Sequence, residues 1–187
     1  MSRLATRFAQ LKSQQRKALV SYVMAGDPQP QVTVPLLHNM VEAGVDVIEL
    51  GLPFSDPMAD GPVIALAAER ALAGGTNTLD ALNMVKEFRQ KDTETPVVLM
   101  GYINPVLSFG FKNFCKECRD SGVSGLIIPD LPPVEFENNY RAILEEFKLN
   151  FIFLVTPETS DERIRYLDSL SSGFLYAVSS SSTTGNN

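Results

Sequence analysis

The stretch "EAGVDVIELG", residues 42–51, decides the fold. It joins the end of a helical pattern to Gly44 and then to a short run of mostly apolar residues. A glycine after a helix, followed by a buried strand, is typical of the helix-to-strand junctions of α/β proteins. The same pattern recurs in "DSGVSGLIIPD", residues 120–130, and in "LSSGFLYAVS", residues 170–179. The chain is therefore predicted to be an α/β protein built from repeated units.

Working outward from these junctions predicts six strands separated by helices. The strands are expected near residues 18–24, 45–51, 96–101, 124–129, 150–155 and 173–178. The helices are expected near residues 30–43, 62–73, 78–91, 111–121, 133–147 and 160–171, after an N-terminal amphipathic helix with Leu4, Phe8 and Leu11 on one side. The strands are nearly continuous apolar runs, which indicates a parallel sheet covered on both faces.

Two parallel architectures fit this alternation, the open doubly wound sheet and the (β/α)8 TIM barrel. The first strand runs into "MAGDPQP", which lacks the glycine pattern of a dinucleotide-binding open sheet. Polar residues recur at the carboxyl ends of the strands, where barrels carry their functional groups. These residues are Asp27, Glu49, Asn104, Asp130, Thr156 and Ser179. The barrel is therefore the predicted fold.

Composition restricts the class of protein. The chain has 187 residues, of which 44% are hydrophobic, and its net charge is −6. This length predicts a single domain over residues 1–187. No segment concentrates Lys and Arg, which argues against nucleic acid and anionic membranes as partners. No apolar run is long enough for a signal peptide or a membrane span, so a cytoplasmic location is expected.

The two cysteines, Cys115 and Cys118 in "FCKECRD", raise the question of a redox pair or half of a zinc site. The only histidine, His38, lies in a different segment, and the motif falls in the middle of a predicted helix. A thioredoxin-like pair would follow a strand instead. We therefore interpret the pair as two helical thiols without a metal.

The strongest candidates for chemistry are Glu49, inside an apolar strand, and Asp60 in the loop that follows. An apolar environment disfavours the charged form of a carboxyl group and raises its pKa towards the range a proton carrier needs. A second acid in a different environment can remain ionised. Two structural alternatives stay open: Glu49 could face a structural Arg or Lys, and Asp56 and Asp60 could cap the next helix.

Aromatic residues also fall in or beside the strands, namely Tyr22, Tyr102 and Tyr176. Ordinary core packing would explain each one alone, whereas several around one barrel mouth would suit a flat apolar substrate. The final "SSSSTTGNN" is either a flexible tail or a mobile lid in which Thr184 and Gly185 offer hydrogen-bond donors.

These segments resemble the tryptophan synthase alpha chain family. The matching stretches, in chain order, are "YVMAGDP", "ELGLPFSDPMADGP", "LMGYINPVLSFG", "GLIIPDLPPVE", "LVTPET" and "YAVSSSSTTG". Their spread over nearly the whole chain makes the resemblance much more specific than any one motif. It implies a (β/α)8 lyase that cleaves indole-3-glycerol phosphate to indole and glyceraldehyde 3-phosphate in tryptophan biosynthesis.

The resemblance also implies roles for individual residues. Glu49 matches the proton carrier and Asp60 matches the group that binds the indole N–H. The implied substrate-binding residues are Tyr22, Met100, Tyr176, Thr184 and Gly185. The implied contacts with the beta chain of an alpha2beta2 complex are Pro53, Phe54, Asp56, Asn104, Asp130 and Pro132. No cofactor is expected in this chain, because pyridoxal phosphate belongs to the beta chain.

The sequence ends at Asn187, after the sixth predicted strand. A typical barrel has roughly 250 residues, and its phosphate site is often built after strands seven and eight. We therefore expect the last two βα units to be lacking, and an inactive fragment that at most docks on the beta chain remains an alternative. A barrel acting on a sugar phosphate is less favoured, because no Lys for a Schiff base lies in a predicted strand.

Overall fold

A computed structural model describes residues 1–179 of the chain. Its main sheet has five parallel strands in chain order: β1 (Val20–Met24), β2 (Val47–Gly51), β3 (Val97–Met100), β4 (Gly125–Ile127) and β5 (Asn150–Phe151). Two further strands, β6 (Leu154–Val155) and β7 (Tyr176–Ala177), pair in parallel with each other. Sequential parallel strands joined by helices are the arrangement of a barrel wall.

Helices connect the strands. They are α1 (Arg3–Ser13), α2 (Pro30–Glu42), α3 (Pro62–Ala73), α4 (Thr78–Phe88), α5 (Ile103–Phe109), α6 (Phe111–Ser121), α7 (Pro133–Glu135), α8 (Arg141–Glu146) and α9 (Asp161–Leu170). No helix within residues 1–179 is long and apolar enough to cross a membrane.

The strand expected over residues 150–155 is two short strands instead. The backbone N–H of Ile152 donates to the carbonyl of Leu126, and Phe153 accepts from the N–H of Tyr176. This apolar stretch therefore bonds to β4 on one side and to the segment of residues 172–178 on the other, and only its two ends pair as regular strands. The single long strand predicted there is wrong for this reason.

Two helical predictions also need correction. Residues 103–109 form α5, which the sequence pattern did not predict, and the N–H of Ile103 at its start donates to Asp130 Oδ1 at 2.9 Å. The helix expected over 133–147 is interrupted by a π-helical segment, Phe136–Tyr140. Phe136, the first residue of this segment, packs on Phe151 with ring centroids 4.6 Å apart.

Side chains alternate between the two faces of the wall. Ile48 and Leu50 on β2 pack in the large core between the sheet and the outer helices. Val47 points to the other side, into a second cluster that contains Leu4 of α1 and Val98. Since alternate strand residues share a face, the side chain of Glu49 also points into the barrel interior, one layer above Val47.

Candidate active site

Glu49 is buried in the barrel interior, and no charged partner within residues 1–179 pairs with it. It is 3% exposed and lies on β2, where every residue is buried. Within residues 1–179 no ion pair or hydrogen bond reaches its side chain, so the alternative in which it faces a structural Arg or Lys is wrong for this part of the chain. Burial raises the pKa of Glu49 to about 7. Such a group can both give and accept a proton near neutral pH.

Asp60 lies at the end of the loop between β2 and α3. Its side chain is half-buried; burial raises the pKa of Asp60, and the neighbouring Tyr102 hydroxyl opposes this effect. The N-cap of α3 is Gly61, and no side chain caps this helix. The alternative in which Asp56 and Asp60 cap α3 is therefore wrong. The carboxylate of Asp56 instead accepts a hydrogen bond from Ser55 Oγ at 2.5 Å.

A small cavity joins Asp60 to the aromatic residues of the barrel mouth. It is lined by Tyr22, Leu52, Asp60, Met100, Gly101, Tyr102 and Pro129. The structure thus brings together three predicted site residues, Tyr22, Met100 and Asp60. Tyr22 is the direct neighbour of Glu49 across the β1–β2 pair. Burial raises the pKa of Tyr22, and the charges of Asp60 and Glu49 add to this shift.

Tyr176 lies on the far side of the interior. This half-buried residue of β7 packs in the same interior cluster as Met100. Burial raises the pKa of Tyr176, with a further contribution from the negative charge of Glu49. Tyr22 and Met100 therefore line one cavity with Asp60, while Tyr176 shares the interior cluster with Met100. Thr184 and Gly185 lie outside the described residues.

Tyr102, which the sequence indicates only as one of three aromatic residues at the mouth, has no specific role in the predicted site. It is 5% exposed, its hydroxyl accepts a hydrogen bond from the N–H of Ala59 at 3.0 Å, and its ring centroid is 5.6 Å from that of Phe54. Burial raises the pKa of Tyr102 to about 12, and the neighbouring Asp60 also favours the neutral phenol. The available sequence signal was its position just after β3, among the other aromatic residues of the mouth.

The residues implied as contacts with a beta chain lie in the segments after three neighbouring strands, with Asn104 in the first turn of α5. Asp56, Asn104 and Pro132 are exposed, whereas Pro53 is buried within the chain. Phe54 and Asp130 both contact the segment that follows β3. Phe54 packs on Tyr102, and Asp130 accepts a hydrogen bond from the N–H of Ile103. All six therefore follow the carboxyl ends of β2, β3 and β4, on the same edge of the barrel as the cavity.

The two thiols lie away from this site. Cys115 and Cys118 are both buried on α6. Burial raises the pKa of Cys115 to about 12 and that of Cys118 well above its ordinary value. In the part of the chain that the structure describes, no group of three or more His, Cys, Asp or Glu residues is arranged to hold a metal ion.

A buried glutamate that has no charged partner among the described residues, beside a cavity that contains a second acid, defines an acid–base enzyme of the TIM-barrel class. A family model described as the tryptophan synthase alpha chain matches residues 8–187. The chain belongs to the tryptophan synthase alpha chain family, which is a family of lyases.

Individual relatives support this membership. The chain is 68% identical over 185 residues to the tryptophan synthase alpha chain of Acinetobacter baylyi, covering 99% of this chain and 69% of that protein. It is 56% identical over 185 residues to the alpha chain of Nitrosococcus oceani, covering 99% of this chain and 68% of the relative.

Solved structures show the same similarity. The crystal structure of tryptophan synthase subunit alpha from Legionella pneumophila matches with a TM-score of 0.92 and 46% identity, covering 96% of this chain and 68% of that chain. A structure of Mycobacterium tuberculosis tryptophan synthase matches with a TM-score of 0.90 and 39% identity, covering 98% of this chain and 70% of that chain. The predicted TIM-barrel fold is confirmed.

The predicted function, that of a tryptophan synthase alpha chain, is also confirmed by this family membership. Cleavage of indole-3-glycerol phosphate by a lyase of tryptophan biosynthesis is the activity that these similarities support. They give no support to the alternative of an inactive docking fragment.

Proposed function

We propose that this chain cleaves indole-3-glycerol phosphate to indole and glyceraldehyde 3-phosphate, with Glu49 as the proton carrier and Asp60 as the partner of the indole N–H. The observation that carries this proposal is the state of Glu49, which is buried, has no ion-pair partner within residues 1–179 and has a pKa raised to about 7. It points into the interior beside Tyr22, whose ring lines the cavity that contains Asp60.

The reaction requires two proton movements. The ring carbon that carries the glycerol phosphate side chain must gain a proton, and the hydroxyl on the adjacent side-chain carbon must lose one. Neutral Glu49 donates the first proton and its carboxylate then takes the second. As the hydroxyl proton leaves, its O–H electron pair forms the carbonyl of the aldehyde. The electrons of the breaking carbon–carbon bond return to the ring, which yields indole. A pKa near 7 suits a group that must act in both directions.

Asp60 has the complementary role. Protonation of the ring carbon places positive charge on the ring nitrogen, and an ionised carboxylate that accepts the N–H hydrogen bond stabilises this charge. The two acids have different surroundings, since Glu49 has no polar partner within residues 1–179 while Asp60 interacts with the Tyr102 hydroxyl. This difference favours a neutral Glu49 and a charged Asp60 before reaction.

The aromatic cavity supports the choice of substrate. Tyr22, Met100 and Tyr102 line a small cavity of about 10 Å³ next to Asp60. The chemistry of this lining suits an aromatic ring better than a sugar, which would leave its hydroxyl groups without partners. Tyr176 lies near Glu49 and is proposed to contact the substrate beside the reacting carbon. Thr184 and Gly185 stay predictions as substrate-binding residues.

We further propose that the beta chain of tryptophan synthase docks on the loops that contain Phe54, Asn104 and Pro132. Exposed apolar side chains neighbour these residues, with Met58 79%, Leu107 46% and Val134 56% exposed. Exposed apolar groups around a polar loop edge are typical of protein interfaces. In this proposal pyridoxal phosphate belongs to the beta chain, this chain needs no cofactor, and an alpha2beta2 complex acts in the cytoplasm.

The test is release of indole from indole-3-glycerol phosphate by the purified chain, with and without a beta chain. Glu49→Gln should lower kcat by roughly a hundredfold or more while the circular dichroism spectrum stays unchanged. Asp60→Asn should lose less activity than Glu49→Gln, because the amide oxygen can still accept one hydrogen bond. Glu87→Gln, at an exposed position of α4, is the control. Retained turnover in Glu49→Gln, or no turnover in the unaltered chain with a beta chain present, would overturn the proposal.

A further inference from the structure

The loop that carries Asp60 has few attachments to the rest of residues 1–179. Residues 53–60 contain no helix or strand, and the side chains of Ser55, Met58 and Ala59 are exposed. Within residues 1–179, the N–H of Asp60 donates only inside the loop, to the carbonyl of Pro57 at 3.4 Å. Among the described residues, the hydrogen bond that ties this loop backbone to another segment is the one from Ala59 N–H to Tyr102 Oη.

Tyr102 contacts this loop at both of its ends. Its ring packs on Phe54 near the start, with centroids 5.6 Å apart, and its hydroxyl accepts from Ala59 near the end at 3.0 Å. The Tyr102 oxygen is the acceptor in its hydrogen bond with Ala59 N–H. The hydroxyl proton therefore remains available for donation to another group. The side chain of Asp60, the next residue, lines the same cavity as Tyr102, and the Tyr102 hydroxyl lowers the pKa of this carboxyl group.

Tyr102 itself is firmly held. It is 5% exposed and follows β3 by two residues. The backbone is fixed on either side of it, since Gly101 N–H donates to the carbonyl of Ile127 at 3.1 Å and Ile103 N–H donates to Asp130 Oδ1 at 2.9 Å. A rigid group that contacts a loop at both ends can determine where that loop places its side chains.

We propose that Tyr102 is a positioning residue, whose hydroxyl holds the Asp60 loop at Ala59 and orients the Asp60 carboxylate towards the substrate nitrogen. This inference rests on the proposed function for the role of Asp60. The position of the loop, however, can be measured without any turnover.

The test is Tyr102→Phe, which keeps the ring that packs on Phe54 and removes only the hydroxyl. Hydrogen exchange of the Ala59 amide should become faster by roughly ten- to hundredfold, because its acceptor is lost. The KM for indole-3-glycerol phosphate should rise several-fold. The acidic limb of the kcat/KM profile should move to higher pH, because Asp60 loses a donor that lowers its pKa.

Tyr166→Phe is the matched control, because it also removes a tyrosine hydrogen bond, from Tyr166 Oη to Glu137 at 2.9 Å on the outer helices. It should leave Ala59 exchange and the pH profile unchanged. Unchanged Ala59 exchange and an unchanged acidic limb in Tyr102→Phe would overturn the inference. If Asp60→Asn has full activity but Ala59 exchange in Tyr102→Phe is faster, the role of Asp60 is wrong while the anchoring of the loop by Tyr102 stands.

Discussion

The hydroxyl of Tyr22 lies against Gly51, in the space that a side chain at position 51 would occupy. A Cβ on Gly51 would come within 2.1 Å of Tyr22 Oη and within 2.7 Å of its Cζ. Gly51 follows Glu49 by two residues on β2, so both positions face the barrel interior. Because Gly51 has no side chain, the Tyr22 ring can lie beside Glu49 in the space that a side chain would fill.

We expect Gly51→Ala to displace Tyr22 and to weaken substrate binding while the barrel still folds. Overpacking of this kind typically costs about 1–3 kcal/mol. In a Tyr22→Ala background the same change should cost much less, because the clashing ring is gone. A double-mutant cycle of urea unfolding measures this difference. Strictly additive costs in the two single variants and the double variant would contradict the contact.

Glu49→Gln should stabilise the fold at high pH. The pKa of Glu49 is raised from its ordinary value of 4.5 to about 7, so the folded state binds a proton that the unfolded state has already lost. The unaltered chain should therefore lose stability as pH rises from about 4.5 to about 7, by an amount on the order of 2–3 kcal/mol. Below this window both states are protonated, and the glutamate costs nothing.

Urea unfolding of both proteins at pH 4.5, 6 and 8 checks this expectation. The stability gained by Glu49→Gln over the unaltered chain should be near zero at the lowest pH and should grow towards pH 8. Glu87→Gln, at an exposed position, should show no such trend. A constant difference between Glu49→Gln and the unaltered chain would mean that the burial of Glu49 does not disfavour its charge.

Much of the site could be predicted from the sequence because strand alternation is local information. Val47 and Glu49 must share a face of β2 by periodicity alone, and Tyr22 reaches the same face of the neighbouring strand. A carboxylate at an inward position of an apolar strand is exceptional, so Glu49 could be recognised without coordinates. The spacing of helices and strands followed in the same way from apolar periodicity.

Long-range hydrogen bonds explain what the sequence did not predict. Tyr102 reaches Ala59 across 43 residues, and Asp130 reaches Ile103 across 27. No local pattern encodes either partner, so neither the role of Tyr102 nor the start of α5 could be predicted. The division of residues 150–155 between two strand pairs has a similar cause, since both halves are apolar and only the neighbouring strands decide how they pair.

The thiols of Cys115 and Cys118 should not react with Ellman's reagent in the folded protein. Both side chains are buried, and burial raises the pKa of Cys115 to about 12, so the reactive thiolate is scarce at neutral pH. In denaturant both should react within minutes. Rapid labelling of the native protein, or zinc in stoichiometric amount after dialysis, would contradict the interpretation of this pair as structural thiols.

Leu4→Ala should destabilise the barrel although Leu4 lies in the N-terminal helix and outside the sheet. Leu4 is fully buried and packs in the interior cluster with four wall residues. These residues are Val47, Val98, Ile127 and Ile152. Removing its side chain leaves a cavity at the amino-terminal end of the strands and should cost about 2–5 kcal/mol.

Val63→Ala is the control for Leu4→Ala, because Val63 is also aliphatic but is 58% exposed on α3. It should lower the free energy of unfolding by less than about 0.5 kcal/mol. Equal effects of the two substitutions would mean that α1 does not cover the amino-terminal end of the strands.

Because Glu49 lies one layer above Val47, Leu4→Ala should also let water reach the glutamate from the amino-terminal end of the barrel. The rise in stability of Glu49→Gln towards pH 8 should therefore be smaller in the Leu4→Ala background, since a hydrated carboxylate has a less shifted pKa.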